Sequence, residues 1–161
     1  MEWITEAVAD REALRRRQEK LSSAVDDLWT SLCLAIKESI AALEKADPIY
    51  GSLEQDANNH HLYSVRYVVD TPNRGTETKK VVITLDASRG VFSAKYSGEA
   101  KGFGQRSVRI DLDVDGDVCL RGNDDIPLRT AGVARLFLRP FLFPELETQE
   151  SEKVRAFVAS A

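Results

Sequence analysis

The sequence predicts an α+β fold: a long N-terminal helix packed on a five-stranded antiparallel meander, followed by C-terminal helical segments. Three observations carry this. Residues 2–47 hold neither Gly nor Pro and are rich in Ala, Leu, Glu, Lys and Arg, the strong helix formers. Across residues 62–121 the apolar side chains recur with a period of two, interrupted by turn-forming clusters. From residue 129 the spacing returns to three and four. With 161 residues, 43% of them hydrophobic and 30% charged, the chain has the length and composition of a single domain spanning 1–161 with a substantial core.

The helix is closed by Asp47-Pro48, because the residue before proline is pushed out of the helical region. Forty-six helical residues span about 69 Å, at ~1.5 Å each. A compact domain of this size is only about 40 Å across. The helix therefore has to break, overhang, or find a partner. Leu21, Val25, Leu28, Leu32, Ile36, Ile40 and Leu43, widened by Trp29 and Cys33, form a broad apolar stripe suited to covering a sheet. Their steps depart from a strict heptad, which argues against a long regular coiled coil. Before Leu21 the apolar residues Ile4, Val8 and Leu14 are sparse, and Arg11, Arg15, Arg16, Arg17 and Lys20 crowd the surface. Residues 2–20 are expected to project, or to fold back after a kink near Ser22-Ser23. Leu14 and Arg15 are then candidates for a subunit interface. With Glu12 and Glu19 interleaved, the basic run reads as a solvated face rather than a nucleic-acid contact.

Residues 49–61 read as a loop, with Gly51, Asp56, Asn58 and Asn59 as turn formers. His60 and His61 are adjacent and point opposite ways on an extended chain, a poor arrangement for one metal ion. Tyr63, Val65, Tyr67 and Val69 alternate as a first strand, and Pro72-Asn73-Arg74-Gly75 turns it. Val81, Ile83 and Leu85 form the inner face of a second strand. Ala87-Ser88-Arg89-Gly90 leads to a third over 91–96, and a Gly-rich connection, 97–106, leads to a fourth carrying Val108, Ile110, Leu112 and Val114. Val118 to Arg121 is the fifth. Short strands joined by tight turns favour an antiparallel meander over βαβ units. Residues 62–110 carry nine basic and four acidic side chains, read as charge that protects exposed strands from edge-to-edge pairing.

Asp111-Leu112-Asp113-Val114-Asp115-Gly116-Asp117 matches the first half of a calcium loop, but the twelfth position is Gly122 where a bidentate Glu belongs, and the flanks are strands. A hairpin explains the string more simply. With Val114-Asp115-Gly116 as the loop and Gly116 left-handed, Leu112 faces Val118 and Ile110 faces Leu120, all on the buried side. Asp113 then lies opposite Asp117, and weak calcium binding by Asp111, Asp113 and Asp117 would relieve that repulsion.

Thr130 is placed to cap a helix through Val133, Leu136, Phe137 and Leu138 to Arg139, which Pro140 ends or kinks. Phe141, Leu142, Phe143 and Leu146 make this the most apolar stretch of the chain. It is expected to pack in the core, with Phe141 and Phe143 also candidates for subunit contact. Val154, Phe157 and Val158 suggest a short amphipathic helix near the end, so helical segments are expected across 129–161.

The net charge of −4 argues against a general nucleic-acid binder. Two cysteines, Cys33 and Cys119, both in apolar surroundings, read as free buried thiols rather than a disulfide framework. No apolar run is long enough to span a membrane, and Met1-Glu2-Trp3 does not open a signal peptide, so a soluble, cytoplasmic protein is expected. There is no GxSxG, P-loop, dinucleotide fingerprint or CxxC, and no catalytic residue or cofactor is indicated. The expected function is a non-catalytic protein-interaction or oligomerisation module, most simply a homodimer. The alternative is a small-ligand-binding protein, or an enzyme of unrecognised type, with a pocket between the sheet and the long helix lined by Trp29, Tyr63 and Tyr67.

Overall fold

The structure is a computed structural model that describes residues 1–47, 53–58, 61–68 and 77–147. The first element, α1, is one unbroken helix of 45 residues, Glu2–Ala46, about 68 Å long at ~1.5 Å per residue. It ends where the sequence requires: Asp47 is extended and its N–H closes the last turn on Leu43 O. No break occurs at Ser22-Ser23. The Ser23 hydroxyl donates to Lys20 O, one turn back, and the ladder runs on.

The sheet has seven strands, not five. In chain order they are β1 (Leu53–Asn58), β2 (Leu62–Val68), β3 (Glu77–Asp86), β4 (Val91–Gly98), β5 (Gln105–Leu112), β6 (Val118–Arg121) and β7 (Pro127–Leu128). They pair antiparallel in the same order, β1-β2-β3-β4-β5-β6-β7. The two unexpected strands lie at the two edges. β1 falls within the expected loop 49–61. Apart from Leu53 its side chains are exposed and polar or small, so it lacks the apolar alternation that marks a strand. What holds it is backbone pairing with β2, from Leu53 opposite Tyr67 to Asn58 opposite Leu62. β7 is two residues long and opens with Pro127, whose missing N–H an edge position tolerates. The expected connection 97–106 is mostly ordered into β4, β5 and a 3-10 turn, Lys101–Phe103, that sets Phe103 edge-on to Tyr96. The expected turn at 72–75, His60, and the helix at 154–158 lie outside the described residues.

The hairpin of β5 and β6 has the expected register. Leu112 pairs with Val118 and Ile110 with Leu120, Asp113 N–H bonds Asp117 O, and Gly116 has φ +80°. Val114 is at the tip, fully exposed, rather than in the strand.

One face of the sheet is buried by α1 and by α2 (Thr130–Leu142). Tyr63, Val65, Val81, Ile83, Phe92, Ala94 and Val108 on the sheet, Leu32, Ile36 and Ile40 on α1, and Val133, Phe137 and Phe141 on α2 are almost completely enclosed in one cluster. Burying each large aliphatic or aromatic side chain contributes roughly 1.5–3 kcal/mol, so this cluster is the main source of stability. The outer face of the sheet is where Arg66, Lys80 and Lys95 stand, opposite in pleat to the buried row.

α2 differs from expectation at both ends. Thr130 is its first helical residue, not its cap: the cap position is Arg129, with no side-chain hydrogen bond. At the other end the helix continues through Pro140 to Leu142. Proline removes the N–H that would bond the carbonyl four residues back, here Leu136 O. The sheet supplies the donor instead. Arg106 Nη1 bonds Leu136 O at 3.2 Å, Tyr96 Oη donates to Phe137 O at 2.7 Å, and Lys79 Nζ donates to Phe141 O. With those carbonyls satisfied and Pro140 itself buried, the helix keeps its last turn. Residues 144–147 add one further helical turn.

Candidate functional site

The expected overhang of α1 is present. Every residue from Met1 to Lys20 is exposed except Glu12, which is partly covered. Among the described residues, the polar side-chain contacts of residues 1–16 are all made within α1. These 16 residues amount to about 24 Å of helix with no sheet beneath them.

The overhang is not uniformly polar. Trp3, Ala7 and Leu14 precede Leu21, Val25, Leu28 and Leu32 at steps of four, seven, seven, four, three and four. At 100° per residue these positions share one side of the helix, on which Asp10 and Arg17 also fall. The seam that packs on the sheet therefore continues past its edge, where Trp3 is 70% exposed and Leu14 55%. Ile4 and Val8, also exposed, flank it.

Charge is partly sorted along the same segment: Glu2, Glu6 and Asp10 come first, then Arg11, Arg15, Arg16 and Arg17 with Glu12 among them. Arg15, expected at an interface, bridges Glu12 (Nη2 to Oε1, 2.5 Å) and Glu19 (Nη1 to Oε1, 2.8 Å) on its own helix. Arg15 beside it holds the Glu12 carboxyl below its usual range. These pairs are solvent-exposed and stiffen the helix rather than dock it.

Two residues of the basic run, read from sequence as merely solvated, anchor the helix to the acidic hairpin. Arg17 Nη2 lies 2.5 Å from Asp111 Oδ1, and Lys20 Nζ donates to Gly116 O. Asp111 Oδ2 also faces Arg109 Nε at 3.8 Å and Arg121 Nε at 3.7 Å. Asp113 has a local task instead. Asp113 Oδ1 accepts the N–H groups of Asp115 and Asp117, both at 2.9 Å, which fixes the turn. Asp111 thus sits among three guanidiniums while Asp113 folds back on the loop. Among the described residues, no three His, Cys, Asp or Glu side chains are placed to hold one metal ion. The pairing of a basic helix run with an acidic hairpin was the sequence signal for this anchor.

The three residues expected to line a pocket are occupied by neighbours. Tyr63 is buried, its hydroxyl donates to Gln55 Oε1, and burial pushes its pKa up to about 12. Trp29 lies parallel to Phe92 at 6.3 Å and edge-on to His61 at 5.6 Å, whose Nε2 is 3.2 Å from Asp26 Oδ1. Tyr67 lies under Lys79 Nζ, 5.5 Å from its ring centre. The C-terminal candidates also belong to this chain's own packing. Phe141 is completely buried, with Lys79 Nζ 5.0 Å from its ring centre, and Phe143 packs against the same core. Both cysteines are free and half-buried, and burial raises the Cys33 thiol. No helix among the described residues is long and apolar enough to cross a membrane.

Comparison of the chain with protein-family models, with characterised proteins and with solved structures finds no match.

Proposed function

We propose that this protein is a non-catalytic oligomerisation module: two copies pair through residues 2–16 of α1, antiparallel, each globular body at an opposite end of the pair. The carrying observation is the apolar seam that runs off the sheet edge with Trp3 and Leu14 uncovered. Charge sorting selects the occupant and the direction. Antiparallel pairing of two copies over residues 2–16 sets Glu2 of one beside Arg16 of the other, whereas parallel pairing stacks each acid on its own copy.

The area on offer is small: Trp3, Ile4, Val8 and Leu14 are already partly covered, so the pairing is weak and strongly concentration-dependent.

Light scattering during gel filtration tests this. The wild-type chain at about 1 mM should elute ahead of its monomer position, approaching twice its 17.9 kDa. A Trp3→Ser, Leu14→Asp variant should elute as a monomer with an unchanged circular dichroism spectrum. A wild type that remains monomeric at that concentration refutes the reading.

A further inference from the structure

We infer that the cleft where β5, the β6–β7 connection and α2 meet is a binding site for a phosphate group carried by a small molecule. The site is separate from the α1 overhang and does not rest on the pairing of two copies. The cleft measures about 490 Å³ and is lined by Arg106, Ser107, Asn123, Arg135, Arg139 and Glu147, among others. That is larger than a phosphate alone and leaves room for the group that bears it.

Three guanidiniums converge on this space from two elements. Arg106 comes from β5 and is fixed in place by its Nη1 bond to Leu136 O. Its Nη2 is turned instead toward Glu147 Oε2, at 3.4 Å. Arg139 comes from α2, with its Nε 3.8 Å from Glu147 Oε1. Arg135 stands one turn earlier on the same face of α2. It is exposed and has no carboxylate partner among the described residues. Like charges at i and i+4 repel, and Glu147, 3.8 Å from Arg139 alone, offsets only part of that repulsion. Gly132, in the uncapped first turn of α2, also opens onto the cleft, and a helix start favours negative charge.

Glu147 shows which chemistry the cleft accepts. Its two carboxylate oxygens reach two different arginines, the arrangement an oxyanion would take. At 3.4 and 3.8 Å, however, neither contact has the length of a close charge-assisted hydrogen bond. It acts as a built-in competitor that occupies the two arginines until a better-charged group displaces it. A phosphate offers more charge and more acceptor oxygens than a carboxylate and matches several guanidinium forks at once. Asp124 also lines the cleft, with Oδ1 accepting the Ile126 N–H at 3.3 Å, so the anion seats on the α2 side rather than against the β6–β7 connection. The sequence carried a faint signal for this site in the i, i+4 pair Arg135 and Arg139 on one helix face.

Titration calorimetry with inorganic pyrophosphate, at constant ionic strength set with chloride, tests the inference. Citrate is titrated in parallel to separate phosphate from carboxylate recognition. The wild type should bind pyrophosphate saturably with one site per chain, and citrate more weakly. Arg135→Ala, an exposed substitution that leaves the fold intact, should weaken binding about tenfold through loss of one charge-assisted contact. Glu147→Gln should tighten it about three- to tenfold by removing the competitor. The inference is overturned if the response is unsaturable, if citrate binds as tightly as pyrophosphate, or if Arg135→Ala binds like the wild type. Binding that weakens in Glu147→Gln likewise overturns it. Should Glu147→Gln unfold, Arg135→Glu replaces it: abolished binding supports the site and retained binding overturns it.

Discussion

Substituting two residues of the same helical seam with alanine separates the part of α1 that builds the core from the part that overhangs. Ile36 is 0% exposed, enclosed between the sheet and α2. Ile36→Ala removes three carbon groups, about 2.4 kcal/mol at ~0.8 each, and the space left behind raises the cost to about 3–4 kcal/mol. For a chain of this length that lowers the melting temperature by about 7–14 °C. Leu14 has the same seam position but is 55% exposed. Alanine is the better helix former, so Leu14→Ala should change the stability of the isolated chain by no more than ~0.5 kcal/mol. The assay is urea unfolding followed by circular dichroism, at a protein concentration below about 1 μM so that association does not contribute. An equal slope in urea for both variants confirms that stability, not the denatured state, has changed. A cost above about 1 kcal/mol for Leu14→Ala at that dilution would mean that the overhang is covered within a single chain. A cost below that for Ile36→Ala would mean that α1 is not part of the core.

Three further outcomes follow from other places in the fold. Gly98 has φ +68°, and a Cβ there would stand 2.5 Å from Thr78 O, so Gly98→Ala should destabilise by about 3 kcal/mol or more, read as a lowered urea midpoint. Asp111→Asn removes the charge facing Arg17, Arg109 and Arg121. It should cost about 1 kcal/mol at low salt and much less at about 1 M salt, a difference that thermal melts at the two salt levels measure. Tyr63 keeps its proton up to about pH 12 when folded, but releases it near pH 10 when unfolded. The unfolded state therefore binds fewer protons between those values, and Tyr63 contributes stability that is complete below pH 10 and lost as pH rises toward 12. The stability difference between wild type and Tyr63→Phe should shrink across that window; a difference independent of pH would contradict the assignment.

The legibility of this chain depended on whether side chains or backbone decided each element. α1 was readable because nothing between Glu2 and Asp47 can interrupt a helix and Pro48 must follow one. The β5–β6 register was readable because only a loop ending in left-handed Gly116 keeps Ile110, Leu112, Val118 and Leu120 on one face. β1 was not readable: Glu54 to Asn58 form a strand because β2 offers an open edge, and edge pairing leaves no apolar imprint on the sequence. Pro140 looked like a terminator because local rules count only the lost N–H. They cannot see Arg106, Tyr96 and Lys79 arriving from distant strands to satisfy the carbonyls of that turn. The overhang was readable from length alone. The anchoring of Arg17 and Lys20 on the hairpin, like the gathering of Arg106, Arg135 and Arg139 around one cleft, depends on tertiary neighbours.

The pairing of two overhangs is measured most directly by the distance between identical spin labels on two copies. With Cys33 and Cys119 replaced by serine, a single label at Ala9→Cys stands on the side of α1 away from the apolar seam, at the middle of the overhang. Antiparallel helices packed about 8–10 Å apart bring the two labels within about 30 Å of each other, so a pulsed dipolar experiment should give one narrow distance in that range. The same label placed at Lys45, at the far end of α1, should give no interaction within about 80 Å, since each lies about 54 Å of helix from the centre of the overlap, at ~1.5 Å per residue. A label at position 9 that shows only the featureless background of isolated molecules would contradict the account.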